Sequence, residues 1–373
     1  MRRRDMLSGL GLSALGACTS MPVPSLKTYQ PGRTYPPVQS SMQRVTRTVV
    51  GLRPYRPQGY RLEAEVLVGK TIIHNYGHGG CGVTMSWGTS PVAAELAAEA
   101  SEGGPIAVLG AGVMGLTTAL ILARRGHAVT VYAEHLPPHT TSNIAGVLWF
   151  PTGYFDRNVA TPDFLRRNHL LIRSAHRGFL PYVDRPGYGV YWADHHALSR
   201  RTPVAYDSLP GGDDIYPELQ RAHENTLFGY AFMERFRAMI IDPDFYLDEI
   251  MQDAQIAGAH FIGTRLSGLS DVEALPEPVI VNCTGLGARD LFGDESLVPI
   301  RGQLSHLLPQ PEIDYSYVAP TAEGVLYMFP RKTGIVLGGT HDMGETAMEP
   351  DPAQIKRMIE GHAELANRLS ASS

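Results

Sequence analysis

The stretch from Ile106 to Glu134, IAVLGAGVMGLTTALILARRGHAVTVYAE, constrains this chain more than any other. Ile106–Leu109 is a short apolar run rich in β-branched residues, as expected of a buried parallel strand. Gly110, Gly112 and Gly115 then spell G-x-G-x-x-G. Val113–Arg125 has the pattern of a helix, with Arg124 and Arg125 in its last turn and Gly126 as its stop. Ala128–Ala133 is a second strand, with Glu134 at its end. The first glycine permits a tight strand-to-helix turn, the second lets backbone approach a pyrophosphate, and the third lets the helix sit close to the strand. The backbone of Val113 and Met114 opens the helix, where exposed N–H groups and the positive dipole end suit an anion. Glu134 can accept hydrogen bonds from a ribose diol and would repel a 2′-phosphate. Strand, turn, helix, strand and acid in that order point to a dinucleotide site. The motif by itself leaves FAD and NAD open, and glycines that merely shape a turn are the alternative.

The motif begins about a hundred residues into the chain, so the remainder must supply its context. At 373 residues, one large or two intimate domains are expected. A net charge of −5 provides no basic footprint for nucleic acid. Three cysteines, Cys18, Cys81 and Cys283, argue against a disulfide framework. Ahead of the fold, Arg2–Arg4 and the diluted apolar segment Leu7–Ala17 form a signal-peptide pattern too short to span a bilayer. Arg3-Arg4-Asp5-Met6-Leu7 resembles a bacterial twin-arginine signal, and Leu15-Gly16-Ala17-Cys18 a lipobox. The expectation is an exported, periplasmic protein, folded around its cofactor before transport and anchored by a lipid on Cys18. The Pro-rich stretch over residues 19–40 is expected to be an extended tether.

Beyond that tether, strands are expected at Thr46–Leu52 and Arg61–Val68, and from Ile72 into a glycine-rich loop that leads to a helix near Pro91–Ala100. Gly77, Gly79, Gly80 and Gly82 fall within six residues, so backbone there passes close to something flat or bulky. His74 and His78 lack a third ligand, and no metal site is expected. Thr140, Thr141 and Ser142 could reach a cofactor or serve as caps. Thr161-Pro162, Asp242-Pro243 and Asp351-Pro352 each open a capped helix. Tyr182–Pro217 is expected to be loops with short strands, and Tyr327–Gly339 a hairpin bent at Arg331–Gly334.

These pieces together resemble a family. GLRPYRPQ (Gly51–Gln58), HNYGHGG (His74–Gly80), IAVLGAGVMGLTTAL, VYAEHLPPHTTSNIAGVLW, VIVNCTGLGA, RGQ (Arg301–Gln303) and YMFPRKTGIVLGG are similar to segments of the FAD-dependent D-amino acid oxidases. The order differs from that family, in which the dinucleotide motif opens the chain and GLRPxRPQ with HNYGHGG closes it. The sequence therefore resembles a circular permutant, with the old ends joined through Ala93–Gly104 and with Leu369 expected close to Thr46. The resemblance implies an α/β fold: a Rossmann-type FAD-binding domain plus a mixed-sheet substrate domain. Residues 41–100 would be the moved C-terminal part and 101–150 the FAD-binding core. Residues 151–373 would form the substrate domain, with 279–290 returning to the FAD domain.

It also implies roles. Gly110, Gly112, Val113, Met114, Gly115 and Glu134 would hold the ADP portion, and Thr140, Thr141 and Ser142 lie beside it. Gly79, Gly80, Gly82, Val83 and Thr84 would lie against the flavin ring. Arg53 and Tyr327 would bind the substrate carboxylate, and the Gly80 carbonyl the amine. The implied reaction oxidises a D-amino acid with O2, giving peroxide. A quinone-linked dehydrogenase, a glycine- or sarcosine-type oxidase, a non-catalytic flavin-binding lipoprotein and a homodimeric assembly stay open. Cys81, Phe150 and Glu323 depart from the animal members of the family. An acid at Glu323 would disfavour D-aspartate and favour neutral or basic side chains.

Overall fold

The computed structural model describes residues 33–146, 148–201, 208–223 and 226–371. The twin-arginine and lipobox segments lie outside the described residues. Among those described, no helix is long and apolar enough to cross a membrane.

The chain enters through β1 (Val45–Tyr55), β2 (Arg61–Leu67) and β3 (Lys70–Tyr76). Helix α1 (Gly82–Ser101) follows, then β4 (Ile106–Leu109), α2 (Val113–Arg124) and β5 (Val129–Ala133). Next come α3 (Pro162–Phe179), β6 (Val190–Ser199), β7 (Gln220–His223), β8 (Phe232–Ile241) and α4 (Pro243–Ile256). The chain continues through β9 (His260–Gly263), α5 (Leu269–Glu273), β10 (Val279–Asn282) and α6 (Gly287–Phe292). It ends with β11 (Val298–Leu307), β12 (Tyr315–Thr321), β13 (Gly324–Arg331), β14 (Gly334–Gly338), β15 (Asp342–Met343) and α7 (Pro352–Ala371).

One sheet runs β2-β3-β10-β4-β5-β9, with β2 antiparallel on the edge and the other pairs parallel. All four residues of β4 are buried, as a strand covered on both faces requires. The chain leaves β3, passes over β10 through α1 to β4 and continues in the same direction through α2 to β5, and only after β9 does it return to place β10 between β4 and β3. That return makes a switch point between β4 and β10, whose carboxyl ends open the crevice where open α/β sheets bind ligands. The second sheet runs β1-β11-β14-β13-β12-β6-β8-β7, with β15 paired to β11. Pro54 is tolerated inside β1 because that strand lies at the sheet's edge.

Local signals account for much of this. The Thr161 hydroxyl accepts from Phe164 N–H at 3.1 Å, and Asp242 accepts from Asp244 N–H at 3.3 Å, with Pro162 and Pro243 at the helix starts. Gly126 ends α2 with φ of 88°.

Three expectations are corrected. First, α1 begins at Gly82, and Pro91 lies inside it. Gly82, Gly88 and the hydroxyl residues are poor helix formers, but α1 is packed between β3, α2 and α3, and that burial overrides propensity. Second, Tyr182–Pro217 contains β6, a ten-residue strand inside the large sheet. Its core is Asp194-His195-His196, so no apolar alternation announces it. Arg235 and Tyr35 bond the Asp194 carboxylate at 2.7 and 2.9 Å, and the Ser316 hydroxyl meets His195 Nδ1 at 2.9 Å. Third, of the tether expected over residues 19–40, the part within the described residues, 33–40, is a packed arm. Tyr35 and Val38 are buried in one cluster with Met358, Leu365 and Leu369 of α7. The Tyr315 hydroxyl donates to Pro36 O at 2.8 Å, and Ser40 to Ile359 O at 2.9 Å. Val45, beside Thr46, packs against the same cluster that holds Leu369.

Candidate active site

Both glycine-rich loops leave carboxyl ends of the parallel sheet, after β3 and after β4, and line one cavity of about 1110 Å3. The cavity continues past the end of β5 at Glu134 and, on its other side, onto the large sheet at Arg53 and Tyr327.

The dinucleotide half follows from close approach. A Cβ on Gly110, which has φ of 96°, would come within 2.8 Å of Cys283 O. A Cβ on Gly115 would stand 1.8 Å from Gly110 O, so α2 can press on the turn only if that position is bare. Gly112 is the N-cap of α2 and has no side chain, and a Cβ there would be 3.2 Å from Ser142 Oγ. The helix start thus faces the cavity with Gly112, Val113 and Met114 on its wall, while Gly115 sits behind them as a packing residue. Glu134 lies on the wall beside Arg265, whose Nη1 is 3.4 Å from its carboxylate.

The hydroxyl run divides its work. Thr140 Oγ1 donates to Asn143 Oδ1 at 2.7 Å within a capping box. Ser142 Oγ accepts from Val113 N–H at 3.0 Å, which leaves its own proton free to donate into the cavity. Thr140, Thr141 and Ser142 all reach the cavity wall.

The other loop brings Gly79, Gly80, Gly82, Val83 and Thr84 to the wall at the start of α1, where no side chain caps the helix. Cys81 is buried there, its thiol donating to Thr152 O at 3.1 Å, and burial pushes it up to about 12. Cys283 is likewise buried and pushed up to about 12, as an inert core thiol should be. The two histidines of this region serve the core. His74 Nδ1 accepts from the Asn282 amide at 3.1 Å, and its Nε2 donates to Glu65 at 2.8 Å. His78 stacks on Tyr60, meets Thr89 Oγ1 at 3.1 Å, and is pushed down to about 3 by burial.

Arg53 projects from β1 over Gly302 of β11. A Cβ on Gly302 would stand 2.9 Å from Arg53 Nη2, and one on Gly80 would stand 3.3 Å from Arg53 Cδ. Arg53 Nη2 donates to the Tyr327 hydroxyl at 3.2 Å. The Tyr327 ring lies across Gly338, its register partner on β14, where a Cβ would be 1.9 Å from the ring. Arg56 and Arg61 differ in kind: Arg56 pairs with Asp294, and Arg61 with Glu63 and Glu65. Among the described residues, Arg53 has no carboxylate within ion-pair distance. Gly302 and Gly338 are site residues that sequence reading missed. Their signal was glycine in a strand interior, which often marks close approach.

This arrangement fits a dinucleotide carrying a planar ring. Two helix starts line the cavity with Gly79, Gly80, Gly82, Gly110 and Gly112 beside them, and Asn75 Oδ1 on its wall is buried without a partner among the described residues. Opposite stand a guanidinium and a phenol able to hold a carboxylate.

Comparisons with known proteins agree. Residues 105–371 match the sequence model of the family described as FAD dependent oxidoreductase. A D-amino-acid oxidase of Streptomyces coelicolor is 30% identical over 276 residues, spanning 72% of this chain and 80% of that protein. A D-amino-acid oxidase of Dictyostelium discoideum is 28% identical over 263 residues, spanning 68% of this chain and 71% of that one. Among solved structures, a glycine oxidase from Geobacillus kaustophilus superposes with a TM-score of 0.52 at 17% identity, covering 71% of this chain and 79% of that one, a likeness of fold.

Proposed function

The chain belongs to the FAD-dependent oxidoreductases, with FAD as its cofactor, and on that premise we propose that it oxidises D-amino acids to imino acids. The observation that carries this reading is Arg53: a guanidinium inside the cofactor cavity, touching Tyr327 and Gly80, with no carboxylate partner among the described residues. A cation held in a partly dry cavity calls for an anion, and a carboxylate matches its fork.

FAD supplies the two-electron acceptor for the substrate α-C–H. The chain's own residues bind and aim. Arg53 and the Tyr327 hydroxyl hold the α-carboxylate, and the Gly80 carbonyl accepts from the amine N–H. The amine must lose its ammonium proton to water before the α-carbon can give up a hydride. Positioning carries most of the rate, since no side chain needs to remove the α-hydrogen as a proton. Overall, amino acid, O2 and water give 2-oxo acid, ammonia and hydrogen peroxide. In air, a D-amino acid should yield peroxide and 2-oxo acid in equal amounts. Substrate turnover without peroxide would assign the electrons to another acceptor.

We also infer that the fold is a circular permutant. Supporting this, the family match starts at residue 105, yet the preceding segment supplies β1 to one sheet, β2 and β3 to the other, and α1 between them. The ends of the fold share one apolar cluster through Val45 and Leu369, and a short turn at Glu102-Gly103-Gly104 joins α1 to β4. A chain restarted at Pro105, with Ala371 joined by a flexible linker to Arg33 so that the packed arm is kept, and ending at Ser101, should fold and retain FAD with the same absorbance spectrum. A colourless, insoluble product would contradict the inference.

A further inference from the structure

Three arginines line the cavity: Arg53, Arg265 and Arg357. Arg265 is paired with Glu134 at the dinucleotide end. Arg53 is assigned above to the α-carboxylate. Arg357, on α7, has neutral partners only. Its Nε donates to Gln354 Oε1 at 2.8 Å, its Nη2 to Gly339 O at 2.7 Å, and its Nη1 to Glu323 O at 3.4 Å. A guanidinium has five N–H groups, so two remain without a partner among the described residues. Gln354 also lines the cavity. Because the Arg357 Nε–H can only donate, Gln354 must present its oxygen to it, which leaves the amide NH2 as a further donor. Gly339, held by Arg357, follows Gly338, over which the Tyr327 ring lies. The two lone guanidiniums are therefore linked through Tyr327 and the end of β14.

We propose that Arg357 and Gln354 form a second carboxylate-reading set in the substrate cavity, and that the preferred substrates are D-amino acids with an acidic side chain. This rests on the D-amino acid reading and deepens it: two unpaired cations in one cavity match a substrate with two carboxylates. It reverses the direction expected from Glu323 in the sequence. Glu323 lies at the tip of the two-residue turn between β12 and β13 and is exposed, so water and salt screen its charge. Arg357 is partly buried and fixed by three acceptors, so its charge acts over the cavity with less screening. Two further acids near it are paired, Asp342 with Arg301 and Glu360 with Lys356. His341, on the same wall, is held below the ordinary imidazole range by burial and then by the Arg53 charge.

The test uses the FAD-loaded protein and the isosteric pair D-glutamate and D-glutamine, with D-aspartate and D-2-aminoadipate to vary reach. The acid should exceed the amide in kcat/KM by at least tenfold. Arg357→Met should collapse that ratio toward one, and Arg357→Lys should retain part of it. Equal or better use of D-glutamine by the unaltered protein overturns the proposal, as does an Arg357→Met variant that slows both substrates equally. Because the first comparison needs no variant, a poorly folding Arg357→Met leaves it decisive. D-alanine run alongside separates the two levels. Oxidation of D-alanine without preference for the acid rejects the Arg357 set alone, whereas no oxidation of any D-amino acid rejects the reading beneath it.

Discussion

Arg53→Leu retains its flavin and loses its substrate. Arg53 touches Gly80 and Gly302 and bonds Tyr327, but none of the glycines around the start of α2 depends on it. Leucine replaces the aliphatic stem and removes only the charged head. A substrate carboxylate would then enter the cavity with the Tyr327 hydroxyl alone. Truncating one partner of a hydrogen-bonded charge pair costs about 2–5 kcal/mol, so kcat/KM should fall roughly 30- to 5,000-fold. Most of that loss should appear as a raised KM, because the interaction exists before the chemical step. The check is steady-state kinetics beside the flavin absorbance of the purified variant. Unchanged affinity for the amino acid would remove Arg53 from the site.

Gly115→Ala separates the two halves of the account. In a helix interior, alanine is favoured over glycine by about 1 kcal/mol, so propensity alone predicts a more stable protein. The contact predicts the reverse. A Cβ at residue 115 would lie 1.8 Å from Gly110 O, a backbone atom held in a turn with positive φ. To relieve it, α2 must lift from β4 or the turn must open, and overpacking of this sort costs about 1–3 kcal/mol. Either movement displaces the helix start from the cavity. The variant should purify with little FAD, bind added FAD at least a hundredfold more weakly, and unfold at lower temperature. Flavin absorbance, FAD titration and a melting curve read all three. A yellow variant more stable than the parent would show that the close approach is not needed.

Sequence reading succeeded where one local rule decides the structure. The β4–α2–β5 unit was legible because G-x-G-x-x-G joins an apolar run to a helix pattern. Starts of α3 and α4 were legible because Thr161-Pro162 and Asp242-Pro243 cap by short-range chemistry. It failed where distant partners decide. Asp194, His195 and His196 of β6 find hydrogen-bond partners in Tyr35, Arg235 and Ser316, far apart in sequence, so the strand has no periodicity to find. The arm at Tyr35 looked like a tether because its contacts, with β12 and α7, come from the other end of the chain. In the site, motifs marked which residues gather, but not which arginines lack a counter-charge. By residue type Arg53, Arg56 and Arg61 are alike in GLRPYRPQGYR; the family resemblance singled out Arg53, and the positions of Asp294, Glu63 and Glu65 show what occupies the other two.

The central claim is that the cavity aims the α-hydrogen of a D-amino acid at the bound flavin. Anaerobic mixing of the FAD-loaded protein with paired D- and L-enantiomers tests this most directly, with flavin absorbance near 450 nm as the readout. The D-enantiomers should bleach the flavin and leave the matching 2-oxo acid, while the L-enantiomers leave it oxidised. A flavin that stays yellow with every D-amino acid, or one bleached equally by both enantiomers, would contradict the account.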